Sequence, residues 1–226
     1  MSHPAIDSKH VLILGAGPGL SASVARRFGA EGYAITLVAR SEQNLTALAQ
    51  ELRSDGITVD TATADAADSK EFRATLKDLA DRITPGVVVY NAALVTSDSI
   101  LDIDEDYVLS SYAVNVVGAI SAAQVFTPAM REAKAGTFLA TGGYAYIDPY
   151  PAYASLALGK AGLRAATTLL HKELKDDGVH ATSITVHGPI VPDTALAPDL
   201  IAESYWTLHN QLAEAWTDEI HFTGQD

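Results

Sequence analysis

The stretch HVLILGAGPGL, residues 10–20, decides how this chain is read. An apolar strand, Val11 to Leu14 entered from His10, stops at Gly15. Gly17, Pro18 and Gly19 follow, and Leu20, Val24 and Phe28 then recur at four-residue steps, the spacing of one helical face. A buried strand, a glycine turn and a helix start form the geometry that holds a pyrophosphate. The turn brings the backbone close, and the unpaired N–H groups of the first helical turn point at the anion. Glycines alone are a weak signal, because turns collect them for conformational reasons. The spacing is also Gly15-x3-Gly19, with Ser21 where a further glycine would stand. Position supplies the specificity: the turn follows the first strand and opens a long amphipathic helix. A dinucleotide site is expected, with a plain strand-turn-helix as the alternative.

Outward from this unit, strands and helices alternate. Tyr33 to Ala39 reads as a second strand, followed by a helix with Leu45, Leu48 and Leu52 on one face. Ile57 to Thr63 is a third strand, and Phe72, Leu76, Leu79 and Ile83 mark the next helix. Gly86 to Asn91 (GVVVYN) is a short, almost wholly apolar fourth strand. A long helical region, about Asp104 to Lys134, leads to a fifth strand at Thr137 to Thr141. A helix of about Ala152 to Lys175 precedes a sixth strand at His180 to Val186. A last helix, about Leu200 to Ala215, precedes a short strand at Glu219 to Phe222. Strands this apolar do not face water, so the expectation is one α/β domain over residues 1–226. It is a Rossmann-type, doubly wound parallel sheet of about seven strands with helices on both faces. Its ligand crevice lies beyond the carboxyl ends of the strands.

Composition narrows the partners. The 226 residues are 48% hydrophobic, yet no apolar run near the roughly 18 residues of a membrane span is expected. The N-terminal MSHPAIDSK carries no apolar signal region, and there is no cysteine, so a cytoplasmic protein is expected. A net charge of −13 argues against nucleic acid and anionic membranes. An anionic cofactor must then be held by local dipoles and a few placed cations. The seven histidines, from His3 and His10 to His171, His180, His187, His209 and His221, show no metal spacing, and no metal site is expected. His187, at a strand's carboxyl end, is the one placed to reach the crevice.

Where dinucleotide folds carry an acid for the adenosine ribose, about 20 residues past the glycines, this chain has Ala39 and then Arg40. A carboxylate repels a 2′-phosphate and a guanidinium grips it with two hydrogen bonds, so NADP(H) is preferred over NAD(H). Asp65, past the third strand, is placed either to accept a hydrogen bond from an adenine amine, with Ala66 beside it, or to cap the helix near Asp68.

On these residues the chain resembles the short-chain dehydrogenases/reductases over nearly its whole length. Gly15, Gly17, Pro18, Gly19 and Leu20 are similar to the family's glycine turn, with Ser21 replacing its last glycine. Asp65 matches the family's adenine-contacting Asp. Tyr90-Asn91-Ala92-Ala93 resembles its Asn-Asn-Ala-Gly segment. Asn115 and Lys160 stand where its active-site Asn and Lys fall. His187-Gly188-Pro189-Ile190 looks like its Pro-Gly turn with two residues inverted, the turn that meets the nicotinamide. The resemblance implies a homodimer or homotetramer through the two long helices.

The departures sit at the chemistry. The family couples hydride transfer to a Tyr hydroxyl four residues before the Lys, helped by a Ser about thirteen residues earlier still. Those positions here are Leu156 and Gly143. Reducing a carbonyl puts negative charge on oxygen, and some group must supply a proton or a strong hydrogen bond there. The stretch GGYAYIDPYPAYASLALGK offers Tyr144, Tyr146, Tyr150 and Tyr153. Tyr144 follows Gly143 directly. Tyr153, seven residues before Lys160, is about 10.5 Å of helical rise away if the helix includes it. Two functions fit. One is an oxidoreductase for a small carbonyl or alcohol, with Tyr144, Tyr153 or water as proton source and Lys160 and Asn115 orienting ribose and solvent. The other is a pseudoenzyme that binds the cofactor and serves as a sensor, regulator or assembly partner.

Overall fold

Strand β1 (Asp7–Leu14) shows why this chain makes a two-faced sheet. Val11 and Ile13 join the core on one face, Leu12 and Leu14 the core on the other, and all four are inaccessible to solvent. The computed structural model describes residues 5–224; His3 and the start of the MSHPAIDSK stretch lie outside the described residues. The remaining elements, in order, are α1 (Leu20–Gly29), β2 (Ala34–Ala39), α2 (Glu42–Ser54), β3 (Val59–Thr63), α3 (Ser69–Ala80) and β4 (Pro85–Tyr90). Then follow α4 (Glu105–Tyr112), a π-helical turn (Ala113–Val117), α5 (Gly118–Ala133), β5 (Thr137–Gly143), α6 (Ala154–Leu174), β6 (His180–Val186), α7 (Pro198–His209) and β7 (Glu219–Phe222).

All neighbouring strands are parallel, in the order β3-β2-β1-β4-β5-β6-β7. The order reverses between β1 and β4, which opens a crevice at their carboxyl ends. The two apolar layers divide the helices. Phe28 of α1, Leu52 of α2 and Tyr205 of α7 pack with Val11 and Ile13. Leu76 of α3, Phe126 and Met130 of α5 and Leu163 of α6 pack with Leu12 and Leu14.

Local chemistry sets the helix starts. Ser41 caps α2 by accepting from Asn44 N–H, and Asp104 caps α4 by accepting from Tyr107 N–H. Asp68 accepts from Lys70 and Glu71 N–H and caps α3, so the capping alternative for Asp65 is ruled out. Helix α1 has no side-chain cap and no acid in its first turn.

Three sequence readings are corrected. The helical region near 104–134 is divided by the π-turn, where Tyr90 OH donates to the Val114 carbonyl at 2.5 Å. The last helix runs from Pro198 and ends at His209, where Asn210 leaves helical geometry and its side-chain amide donates to the Trp206 carbonyl, and Ala213–Ala215 forms a separate single turn. Residues 105–133 are also long and apolar enough on average to cross a membrane by length and composition, against the expectation of no such run. Half of that window is buried inside the fold, where α5 packs on α3, α6, β4 and β5.

Candidate functional site

The turn after β1 is shaped by contact on one side and by openness on the other. Gly15 has φ +86°, and a Cβ there would stand 2.3 Å from the Ala92 backbone nitrogen. Its glycine is therefore required twice, by conformation and by the approach of the segment after β4. At Gly17 and Gly19 a Cβ would meet nothing within 4 Å. Open backbone followed by the uncapped N-terminus of α1 is a fitting cradle for a diphosphate. Ser21, in place of a glycine, donates to the Gly15 carbonyl at 3.0 Å and accepts from Asn91 Nδ2 at 2.7 Å. The hydroxyl ties the turn to β4.

Two cavities lie along the crevice. The smaller, about 230 Å³, is bounded by Gly15, Arg40, Ser41, Asp65, Ala66, Asn91 and Ala92. Arg40 is exposed and has no ion pair or hydrogen bond among the described residues. Asp65 accepts from Ala67 N–H through one oxygen at 2.9 Å, a local turn that leaves its other oxygen free to serve the cavity. Asn44, Phe72 and Val114 also line it; sequence spacing gave no sign of them, since they come from three separate helical segments.

The larger cavity, about 710 Å³, is bounded by Gly19, Leu20, Asn91, Tyr144, Tyr150, Tyr153, Leu156, Lys160 and the Gly188-Pro189-Ile190 turn. Asn91 borders both cavities. Its Oδ1 accepts from Thr141 Oγ1 at 2.7 Å, and Thr141 Oγ1 also bonds the buried Tyr205 hydroxyl at 2.6 Å. Lys160 is 8% exposed, and its Nζ donates to the Thr141 carbonyl at 2.7 Å. An ammonium has three donors, so two remain for a ligand. Burial lowers its pKa from 10.5 to about 8. A Cβ at Gly143 would lie 3.3 Å from Lys160 Cε, so the lysine stem packs along the bare backbone there.

Asn115 is not part of this cavity. It sits in the π-turn at 1% exposure, where its Oδ1 accepts from Leu94 N–H at 2.9 Å and its Nδ2 donates to Ser111 at 3.1 Å. Its side-chain amide is thereby engaged in bracing the segment after β4. The placing of Tyr153 is corrected. It is the N-cap of α6, with φ −141° and ψ 49°, so it lies off the helical face that carries Lys160. Asp98 holds it there: the Asp98 carboxylate accepts from Ser155 N–H, and Asp98 N–H donates to the Ala152 carbonyl. Gly17 and Pro18 belong to the turn and border neither cavity.

Tyr144 and Tyr153 do line the large cavity, and neither hydroxyl has a hydrogen-bond partner among the described residues. The Tyr144 ring leans on His187 with centroids 4.5 Å apart. His187 stands behind it, off the cavity, sharing a 2.7 Å hydrogen bond with His221. Tyr150 was not singled out by its sequence position. Its ring lies 6.1 Å from Tyr153, tilted by 34°.

The family described as short chain dehydrogenase matches residues 9–200. A very-long-chain 3-oxoacyl-CoA reductase of Neurospora crassa is 30% identical over 173 residues, 74% of this chain and 52% of that protein. The human short-chain dehydrogenase/reductase 3 is 28% identical over 79% of this chain and 60% of its own length. The chain thus spans about half the length of the first of these curated relatives. The crystal structure of a metagenomic short-chain oxidoreductase in complex with NADP superposes with TM-score 0.86 at 23% identity, covering 97% of this chain and 99% of that one. L-sorbose reductase from Gluconobacter frateurii, complexed with NADPH and L-sorbose, gives 0.87 at 20% identity over 97% and 96%.

Proposed function

Because this chain belongs to the short-chain dehydrogenase family, we propose that it is an NAD(P)-dependent oxidoreductase with a rearranged active site, NADP(H) being preferred, acting on a small carbonyl or alcohol. The observation that carries this is the continuity of one crevice. An open glycine cradle at the start of α1 lies between a cavity with an unpaired Arg40 and a cavity with a buried, under-bonded Lys160. Bound there, the nicotinamide supplies or receives a hydride.

The chain's own groups divide the remaining work. Backbone N–H groups at the start of α1 bind the diphosphate. Arg40 holds the 2′-phosphate and Asp65 the adenine edge. The two free donors of Lys160 hold the nicotinamide ribose, and Thr141 fixes Asn91 between the two ends. Leu156 and Gly143 stand where relatives are expected to carry a phenol and a hydroxyl, and the proton is assigned instead to Tyr144, Tyr153 or solvent, both tyrosines lining the cavity. The same substitution favours a second reading, a cofactor-binding protein without redox chemistry.

Exposed Leu109, Tyr112 and Ile120 along the α4–α5 stretch, with Leu158 and Leu169 of α6, support assembly into a homodimer or homotetramer. Titrating intrinsic fluorescence with NADPH and NADH, then following NADPH oxidation across carbonyl substrates, tests the reading. Tighter binding of NADPH with turnover supports it; tight binding with no turnover on any acceptor selects the second reading.

A further inference from the structure

Resting on the oxidoreductase reading above, we propose that the acceptor is a quinone: a flat, apolar, conjugated dicarbonyl whose reduction needs no acid from the protein. The cavity is shaped for such a molecule. Tyr144, Tyr150 and Tyr153 supply aromatic walls and Leu156, Val186 and Ile190 aliphatic ones, with Asn91, Thr141, Asp148 and Lys160 as polar groups of the lining. The Tyr150 and Tyr153 rings are within 34° of parallel and Tyr150 is 65% exposed, so together they offer a planar ligand a stacking surface at the mouth. Leu156 lies one helical turn from Lys160 and lines the same cavity, so an aliphatic side chain stands where a group there could have donated a proton. Lys160 itself donates to the Thr141 carbonyl, and on the reading above its other donors hold the ribose.

The chemistry follows from this wall. Hydride addition to a simple ketone leaves an alkoxide about as basic as hydroxide, and it needs an acid within the step. A quinone takes the same hydride, two electrons and one hydrogen, while the reduced nicotinamide is oxidised. One carbonyl becomes a hydroxyl, and the electron pair comes to rest on the other oxygen as a phenolate. That oxygen has a pKa near 10, about six powers of ten less basic, and solvent protonates it afterwards to give the hydroquinone. A largely aromatic and aliphatic cavity with Leu156 one helical turn from Lys160 suits an acceptor that asks for no proton in the hydride step, whereas a simple ketone would have to draw one from a tyrosine or from water.

The probe is 2-methyl-1,4-naphthoquinone with the full chain. Quenching of intrinsic fluorescence by the quinone, with oxidised cofactor present, reads binding without turnover; Tyr150→Ala is expected to weaken it about tenfold. Anaerobic NADPH oxidation, corrected for the enzyme-free rate, is expected to run at least about a hundredfold faster with the quinone than with 2-butanone. The solvent deuterium isotope effect on the quinone reaction is expected near unity, since no proton moves with the hydride. Leu156→Tyr is expected to raise the ketone-to-quinone rate ratio at least about tenfold. A ketone rate equal to or above the quinone rate, or a solvent isotope effect above about two, overturns the quinone assignment while NADPH turnover leaves the oxidoreductase reading standing. Bound NADPH with no quinone turnover also overturns it, and absence of NADPH binding overturns the reading beneath it. The isotope effect on the unaltered protein decides the matter even where a variant fails to fold.

Discussion

The adenosine end and the nicotinamide end of the crevice are built by different means. On the proposed reading the adenosine side starts from backbone, with Gly15 against Ala92, open Gly17 and Gly19 and the free N–H groups opening α1, to which Arg40 and Asp65 add side-chain contacts. At the nicotinamide end the groups are side chains, with Lys160 and Thr141 on the floor and tyrosines with Leu156 on the walls. A backbone device tolerates change at most neighbouring positions but fails outright where a Cβ enters. A side-chain device can be re-specified one residue at a time without disturbing the fold. On the proposed reading, the contrast accounts for a glycine cradle that stands beside a chemical end carrying Leu156 and Gly143.

The largest expected effect breaks the first device. Gly15→Val puts a branched side chain at φ +86° into the Ala92 backbone. It is expected to cost about 3 kcal/mol or more, a Tm fall of roughly 6–12 °C, with dinucleotide binding lost. Thermal denaturation and calorimetry check it, and an unchanged Tm would show the approach to be loose.

The second device has a pH signature. Lys160 has its folded-state pKa lowered by burial to about 8, against 10.5 when free, so the folded protein holds fewer protons than the unfolded one between these values. Stability therefore carries a penalty below pH 8 that is relieved as pH rises from 8 towards 10.5, about 3 kcal/mol in all. Lys160→Met is expected to be more stable than the parent at pH 7 and to lack that rise. Urea unfolding of both proteins at pH 7, 8, 9 and 10 reads the difference.

Between the two ends, Asn115→Ala leaves the Leu94 N–H without its partner and is expected to cost about 2 kcal/mol. As a brace and not a catalytic group, it should lower Tm while NADPH affinity of the folded fraction changes less than threefold or so. The smallest effect sharpens the adenosine end: Arg40→Ala is expected to weaken NADPH about tenfold and to leave NADH nearly unchanged. Equal losses for both cofactors would remove the 2′-phosphate from its role.

The same division decides what the sequence could reveal. Strands β6 and β7 carry the boundaries read from their apolar runs, and Gly15 to Leu20 declared its turn, because backbone geometry is written in glycine and in hydrophobic period. The partner of Asn115, Leu94 N–H, was not legible because it lies 21 residues away and no local spacing reveals it. Tyr153 was misplaced because the Asp98 bonds that hold it off the helix come from a distant loop. Tyr150 and Asn44 joined the cavities through tertiary packing alone.

The central claim is that the turn after β1 holds a nicotinamide dinucleotide through its backbone. Isothermal titration of the purified chain with NADPH and with NADH tests it most directly. One site per chain, with NADPH the tighter ligand, is the predicted result. No measurable heat or saturation with either dinucleotide, from protein that melts cooperatively, would contradict the account.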